Sequence, residues 1–378
     1  MIYLDHHAAA PVVPEAVSAM RAAEGIAFAN PSSLHRHGRR ARELMEEARA
    51  HVARAVGARA ADVVFTSGGT EAVNLGVFGL AGGVERIVTT TIEHPAVVAP
   101  LATLERQGIE VIRLPVVEGV GLDPEAVAAH LDARTLVAMQ WVNHEVGTIL
   151  PVEAIALACR SRGAKLVVDA TQAVGKVPID VGTVGCSALA VASHKLGGPA
   201  GAGALIVERG LELEPRIVGG GQERGRRAGT PDVLSLVGFG AACRLVEERL
   251  EAMDAVSERR DRLEAALGRW GGRTNGTSLP RVATVTHASF PGARGTLLVA
   301  ALDLEGLSVS SGAACSSGLD SPSPVIASLA PDEPWRAAAG LRLSLGPETT
   351  SDDVEAALAI LERVLPRFRP ESGRNPGP

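Results

Sequence analysis

A chain of 378 residues, 46% hydrophobic and 21% charged, carries enough apolar side chains for a large buried core, and its length suits one big domain with a smaller one beside it. The formal net charge of −6 argues against nucleic acid as the main partner, because neutralising phosphates needs a basic surface. No run approaches the roughly 20 apolar residues of a membrane span, and the start MIYLDHHAAAP lacks a signal-peptide pattern, so a cytoplasmic protein without membrane contact is expected.

From about residue 40 to 210, helical periodicity alternates with short β-branched runs. RARELMEEARAHVARAVG predicts an amphipathic helix, DVVFT a strand ending in the turn SGG, EAVNLGVFGLAG a helix and RIVTTTI a strand. PAVVAPLATLERQG predicts a helix opening on proline, followed by the strand EVIRLPV. TLVAMQWVN, AKLVVDA, SALAVAS and GALIVER predict four more strands, some apolar nearly throughout. Strands buried on both faces belong to a mostly parallel sheet between helices, so the fold class is α/β with a seven-stranded sheet in a large domain, residues 12–255. A long helical region runs to about Leu267. RVATVTHASF, LSVSS and GLRLSLG then read as strands, and TLLVAALDLEG and SDDVEAALAILERVL as helices. These predict a smaller α+β domain, residues 256–368 together with 1–11. The polar, Pro/Gly-rich end 369–378 reads as a disordered tail.

The cysteines Cys159, Cys186, Cys243 and Cys315 form no C-x-x-C pair, so neither a zinc site nor a disulfide framework is indicated. Cys159 and Cys243 sit in apolar helical patterns and read as core residues, whereas Cys315 sits among Ser, Gly and Ala. Only three lysines are present, which limits amine chemistry to Lys165, Lys176 and Lys195. Lys165, beside Gly163, reads as a solvated loop residue, and Lys176, in the turn AVGKVPID, as exposed. Lys195 follows a strand and precedes a glycine-rich hairpin, the best placement for a Schiff-base lysine in a partly desolvated site.

Other motifs surround it. In FTSGGTEAVNL, Thr70 stands where a helix begins, either as its cap or at a phosphate-binding N-terminus. The glycine-rich run GPAGAG at Gly198–Gly203 leads into a strand and not a helix, which weakens any nicotinamide reading. Asp169 ends an apolar strand at the edge where open α/β sheets bind ligands, either as a helix cap or as the partner of a pyridine nitrogen.

Taken together, SGGTEAVNL, IEHPAVV, VDATQAVG and SHKLGGPAG resemble the class V pyridoxal-phosphate enzymes. YLDHHAAAP, NPSSLHRHGRRAR, GGGQERGRRAGT and SSGAACSSG narrow the resemblance to the cysteine desulfurases, over nearly the whole chain. The resemblance implies the fold type I of pyridoxal 5'-phosphate-dependent transferases, with Lys195 carrying the cofactor and later moving the substrate's α-proton. It implies that Asp169 pairs with the pyridine nitrogen, Gln172 with the ring's phenolate oxygen, and that His94 stacks on the ring. Gly69, Thr70, Ser193 and His194 would bind the phosphate, and Thr230 the phosphate of the partner subunit in a homodimer. Arg342 would clamp the carboxylate of L-cysteine, a task suited to a bidentate donor; its blander reading is a strand-edge surface charge.

Cys315 would then accept the sulfur as a persulfide, on a tether of small residues, for delivery to an acceptor protein in iron–sulfur cluster or thio-cofactor biosynthesis. The 27 residues from Cys315 to Arg342 resemble the long-loop subgroup. The chain departs from the family in VNHEVG, where His144 replaces the second asparagine, a position implied to contact cofactor and substrate. His6 and His7 read as a site-rim loop and His35 and His37 as a loop before a helix, with no metal assigned to either pair. The rival readings are a pyridoxal-phosphate C–S lyase, a selenocysteine lyase and a weakened sulfur-relay platform.

Overall fold

The computed structural model describes residues 1–312 and 321–368. The strands in chain order are β1 (Ile2–Tyr3), β2 (Val63–Thr66), β3 (Arg86–Thr90), β4 (Glu110–Leu114), β5 (Thr135–Gln140), β6 (Lys165–Asp169), β7 (Ala188–Ala192), β8 (Gly203–Val207), β9 (Arg273–Thr274), β10 (Val285–Ser289), β11 (Leu307–Ser308) and β12 (Gly340–Ser344). Seven of them form one sheet in the order β2-β8-β7-β6-β5-β3-β4. Its strands run parallel except β8, which is antiparallel to both neighbours. That exception follows from the direct β7–β8 hairpin, since a parallel return needs a crossover of a dozen residues or more. Gly203 is required where β8 passes β2: a Cβ there would stand 2.6 Å from the carbonyl carbon of Gly68.

The near-continuous apolar runs are explained by what they face. Leu166 and Val168 of β6, Val137 and Met139 of β5, and Leu189 and Val191 of β7 point into one core. The alternate residues Val167, Leu136, Ala138, Ala188 and Ala190 point into another. Helix Gly69–Leu80 (Ala72, Val73, Leu75) and helix Pro95–Arg106 (Val97, Leu101) cover the second face. Helices Arg36–Ala55, Val152–Arg162 and Val233–Cys243 cover the first. Each fully buried Leu or Val contributes about 1.5–3 kcal/mol relative to exposure.

A third apolar cluster joins Leu4 to residues between Val256 and Leu365, around the antiparallel sheet β12-β10-β9 and helices Gly295–Leu304 and Ser351–Val364. The N-terminal segment is stitched into it: β1 pairs in parallel with β11, and Ser344 N donates to Leu4 O at 2.8 Å. The predicted long helical region is three segments, Val233–Cys243, Val246–Glu251 and Met253–Arg269. Leu245 (ψ 4°) leaves the helical range at the first break, whereas Ala252 (ψ −9°) stays at its edge at the second.

Candidate active site

The carboxyl ends of the parallel strands open onto a cavity of about 380 Å³. All of them except β4 contribute residues that lie at or within a few positions of the strand end. After β2 come Gly68, Gly69 and Thr70; after β3, His94; after β5, His144; at the end of β6, Asp169 and then Gln172; after β7, His194 and Lys195. Asp169 pairs in register with Gln140 on one side and Ala190 on the other, which sets the carboxylate in the middle of the edge. The N-cap of helix Gly69–Leu80 is Gly68, which supplies no side-chain oxygen to the first turn. Thr70 lies inside that turn and is not the cap. An uncapped 12-residue helix aimed at a cavity presents backbone N–H groups and a positive dipole end, as a phosphate requires.

The amine of Lys195 donates to the carbonyl oxygens of His7 at 2.6 Å and Ala8 at 2.9 Å. His94 caps helix Pro95–Arg106: its Nδ1 accepts from Ala96 N at 3.0 Å, so the neutral ring carries its proton on Nε2. His144 meets His94 edge to face, with centroids 5.0 Å apart and planes at 85°. Its Nδ1 lies 3.4 Å from Oε1 of Gln140, whose amide nitrogen donates to Ile92 O at 2.5 Å. Burial holds the pKa of His94 below the usual imidazole value and that of His144 well below it, with His94 and Arg342 as lesser causes for the latter; burial takes His194 down to about 4. These rings therefore serve near neutral pH as neutral donors or acceptors.

The opposite wall comes from the third cluster. Arg342, at the centre of β12, is 2% exposed, so the surface-charge alternative does not hold. Its Nη2 donates to Asp5 Oδ1 at 2.7 Å and its Nη1 to His144 O at 2.9 Å, while Nε is buried with no partner. His7 Nδ1 donates to the same His144 carbonyl at 3.2 Å, and His7 Nε2 pairs with Thr284 Oγ1 at 2.9 Å. His7 is thus a buried member of the site wall, and His6, also buried, lines a small neighbouring cavity.

Two lysine expectations are corrected. Lys165 opens β6 and donates to Leu80 O at 2.9 Å. Lys176 is not exposed: it donates to Gln172 Oε1, and burial, then the charges of Lys195, Arg249 and Arg342, push its amine well below the usual lysine value. The turn sequence hid this; the signal was its spacing of four from Gln172, whose Nε2 donates to His7 O at 2.8 Å. Of the described thiols, Cys159 and Cys186 are buried with pKa values pushed up to about 12, and Cys243 is pushed up further, all inert as nucleophiles.

Gly69, Thr70, His94, His144, Asp169, Gln172, His194, Lys195 and Arg342 line one cavity. Ser193 is fully buried beneath it, with Oγ unpaired and pressed against Gly198. Thr230 lines a neighbouring cavity with Ser67 and Gln222. Cys315 lies outside the described residues, and among those described no His/Cys/Asp/Glu group could hold a metal. Sequence reading missed Gln140 and Asp5, which orient His144 and Arg342. It also missed Glu93, a buried carboxyl accepting from Thr90 Oγ1 at 2.6 Å and Gln140 N at 2.7 Å. An amine, a central carboxylate, neutral imidazoles, a helix N-terminus and a guanidinium with a spare donor fit pyridoxal 5'-phosphate and an amino acid together.

Comparisons with known proteins agree. The pattern of the class V aminotransferase family matches residues 2–357. The chain is 41% identical over 385 residues to the IscS-like cysteine desulfurase of Mycobacterium tuberculosis, spanning 98% of this chain and 97% of that protein. It is 41% identical over 377 residues to a cysteine desulfurase of Cereibacter sphaeroides, spanning 97% and 96%. Among solved structures, a NifS-like protein matches with a TM-score of 0.88 at 30% identity over 96% of this chain and 99% of that one. SspA in complex with cysteine matches with a TM-score of 0.81 at 29% identity, over 92% and 99%. With a cavity built at the carboxyl edge of such a sheet and relatives of this kind along its whole length, the chain belongs to the class V aminotransferase family, among the cysteine desulfurases.

Proposed function

We propose that this chain converts L-cysteine to L-alanine and takes the sulfur onto Cys315 as a persulfide. The observation that carries the reading is one cavity lined by the Lys195 amine, the Asp169 carboxylate and the buried Arg342, whose Nε has no partner. Pyridoxal 5'-phosphate, when bound, supplies the electron sink that weakens the α-C–H bond and then the C–S bond.

The residues divide the work. Gly69, Thr70 and His194 would hold the phosphate, Asp169 would pair with the ring nitrogen, and Gln172 would donate to the phenolate oxygen. Arg342 orients the substrate carboxylate. The Lys195 amine, released from its two carbonyl partners, carries the α-proton; His94, neutral with its proton on Nε2, assists proton transfer from the wall. The Cys315 thiolate forms an S–S bond with the substrate sulfur as the C–S bond breaks. The electron pair of that bond returns to carbon, which ends as the methyl group of alanine. Thr230, outside the main cavity, would complete the phosphate site of the partner in a cytoplasmic homodimer, and the persulfide passes to an acceptor protein in iron–sulfur cluster or thio-cofactor biosynthesis.

Incubation with L-cysteine and a reductant, with alanine, pyruvate and sulfide quantified together, tests the reading. Alanine equal to sulfide is expected, and Cys315→Ser should keep bound cofactor while losing sulfur transfer. Pyruvate equal to sulfide would assign a lyase.

A further inference from the structure

Residues 313–320, which include Cys315, fall between two described stems, and both stems meet one buried carboxyl. Ser323 Oγ donates to Glu145 Oε2 at 2.7 Å. On the other side, a Cβ placed on Gly312 (φ 143°) would stand 2.9 Å from that same oxygen, so only glycine fits between stem and carboxyl. The Glu145 side chain is fully buried, and its Oε1 has no hydrogen-bond partner.

These contacts close a circuit through the site. Ser310 pairs with Arg342 through both backbone hydrogen bonds, at 3.2 and 2.7 Å, and its Oγ donates to Gly312 O at 3.0 Å. Arg342 donates to His144 O, and Glu145 is the next residue. Downstream, Ser323 N donates to Ala337 O at 2.8 Å, and Ser323 Oγ accepts from Ile326 N at 3.1 Å, so Ser323 is fixed on three sides. The local turn leaves Glu145 no freedom either: Asn143 Oδ1 accepts from Glu145 N and Val146 N, each at 2.9 Å.

We propose that Glu145 is a positioning residue for sulfur transfer: by holding Ser323 and fitting against Gly312, it fixes both stems of the Cys315 segment relative to Arg342 and His144. The proposal rests on the reading that Cys315 receives the sulfur. Burial raises the Glu145 pKa, against the lowering effects of Ser323 and Arg342, which favours a neutral carboxyl whose shape and hydrogen bond a glutamine can reproduce.

The test uses cofactor-loaded Glu145→Ala, Glu145→Gln, Ser323→Ala and Cys315→Ala proteins. Three quantities are read: the visible absorbance of bound cofactor, its change on titration with L-cysteine, and the single-turnover rate of persulfide formation on Cys315 by alkylation and mass spectrometry. Glu145→Ala is expected to keep the first two while forming persulfide at least about tenfold more slowly, as displacement of a reacting group by a fraction of an ångström does. Ser323→Ala should slow it about fivefold, the worth of one hydrogen bond, and Glu145→Gln should restore most of the rate.

Wild-type persulfide formation in Glu145→Ala overturns the proposal. So does a Glu145→Gln variant as slow as Glu145→Ala, or a parallel loss of cofactor and L-cysteine response, which would mark a general structural role. If Glu145→Ala does not fold, Ser323→Ala decides, and a wild-type rate there overturns it. Cys315→Ala separates the two ideas: continued alanine formation by that variant sinks the reading of Cys315 and leaves the Glu145 contacts without that purpose.

Discussion

The two walls of the cavity are built by different means. On the sheet side, each functional group follows its strand by a few residues: Gly69 and Thr70 after β2, Gln172 after β6, Lys195 after β7. On the opposite side, Asp5 meets Arg342 and Glu145 meets Ser323, pairs 337 and 178 residues apart. The first wall is set by one rigid, doubly covered sheet, whereas the second depends on how the cluster around Leu4, Leu343 and Leu361 seats against it. Cofactor attachment should therefore answer to the first wall alone, and substrate handling and sulfur transfer to the second.

The largest expected effect breaks the first wall. Lys195→Ala should lose borohydride-fixable cofactor and at least about 10³-fold in turnover, while Lys176→Ala keeps the fixable cofactor; fixation on Lys176 would reverse the roles of the two buried amines. Next, Arg342→Gln should keep the bound cofactor's absorbance yet raise KM for L-cysteine about 10–100-fold, the worth of a charge-assisted hydrogen bond of about 1.5–3 kcal/mol. Loss of cofactor in that variant would show that the walls are not separable.

Smaller still is His144→Asn. It removes an edge-to-face contact with His94 worth about 1 kcal/mol and should change kcat/KM by about fivefold with cofactor binding intact.

The last effect is on stability and leaves the chemistry untouched. Burial raises the Glu93 pKa to about 8 from an ordinary 4.5, so between those values the folded chain holds a proton that the unfolded chain has lost. Stability from this group is full below 4.5 and falls as pH rises to about 8. The Tm of Glu93→Gln should gain on the wild type across that window and run parallel to it above; a constant difference from pH 5 to 9 would count against a buried neutral carboxyl.

The same contrast explains what could be read from sequence. Seven strand segments and the residues after them were legible because strand, turn and functional group lie within a dozen positions, and the apolar runs declare a sheet buried on both faces. Lys176 was not legible, since a lysine in the turn AVGKVPID looks solvated until Gln172 and the flanking cations are seen around it. Glu145 sits in a legible motif, but its partner Ser323 belongs to a stretch whose Ser/Pro composition says only loop. The helix breaks at Leu245 and Ala252 carry no glycine or proline, so no residue at either position announces them in the sequence.

The Lys195 amine rests on the carbonyls of His7 and Ala8, and that stretch is held by β11 and by Ser344. During synthesis, the earliest residues to emerge must wait for some of the last before they can take their place. A nascent chain can complete the seven-stranded sheet, and with it the lysine, well before Ser344 has been made. The Lys195 amine thus gains its two resting acceptors only when the final strand arrives, so an interrupted chain would carry the amine but not the setting that holds it.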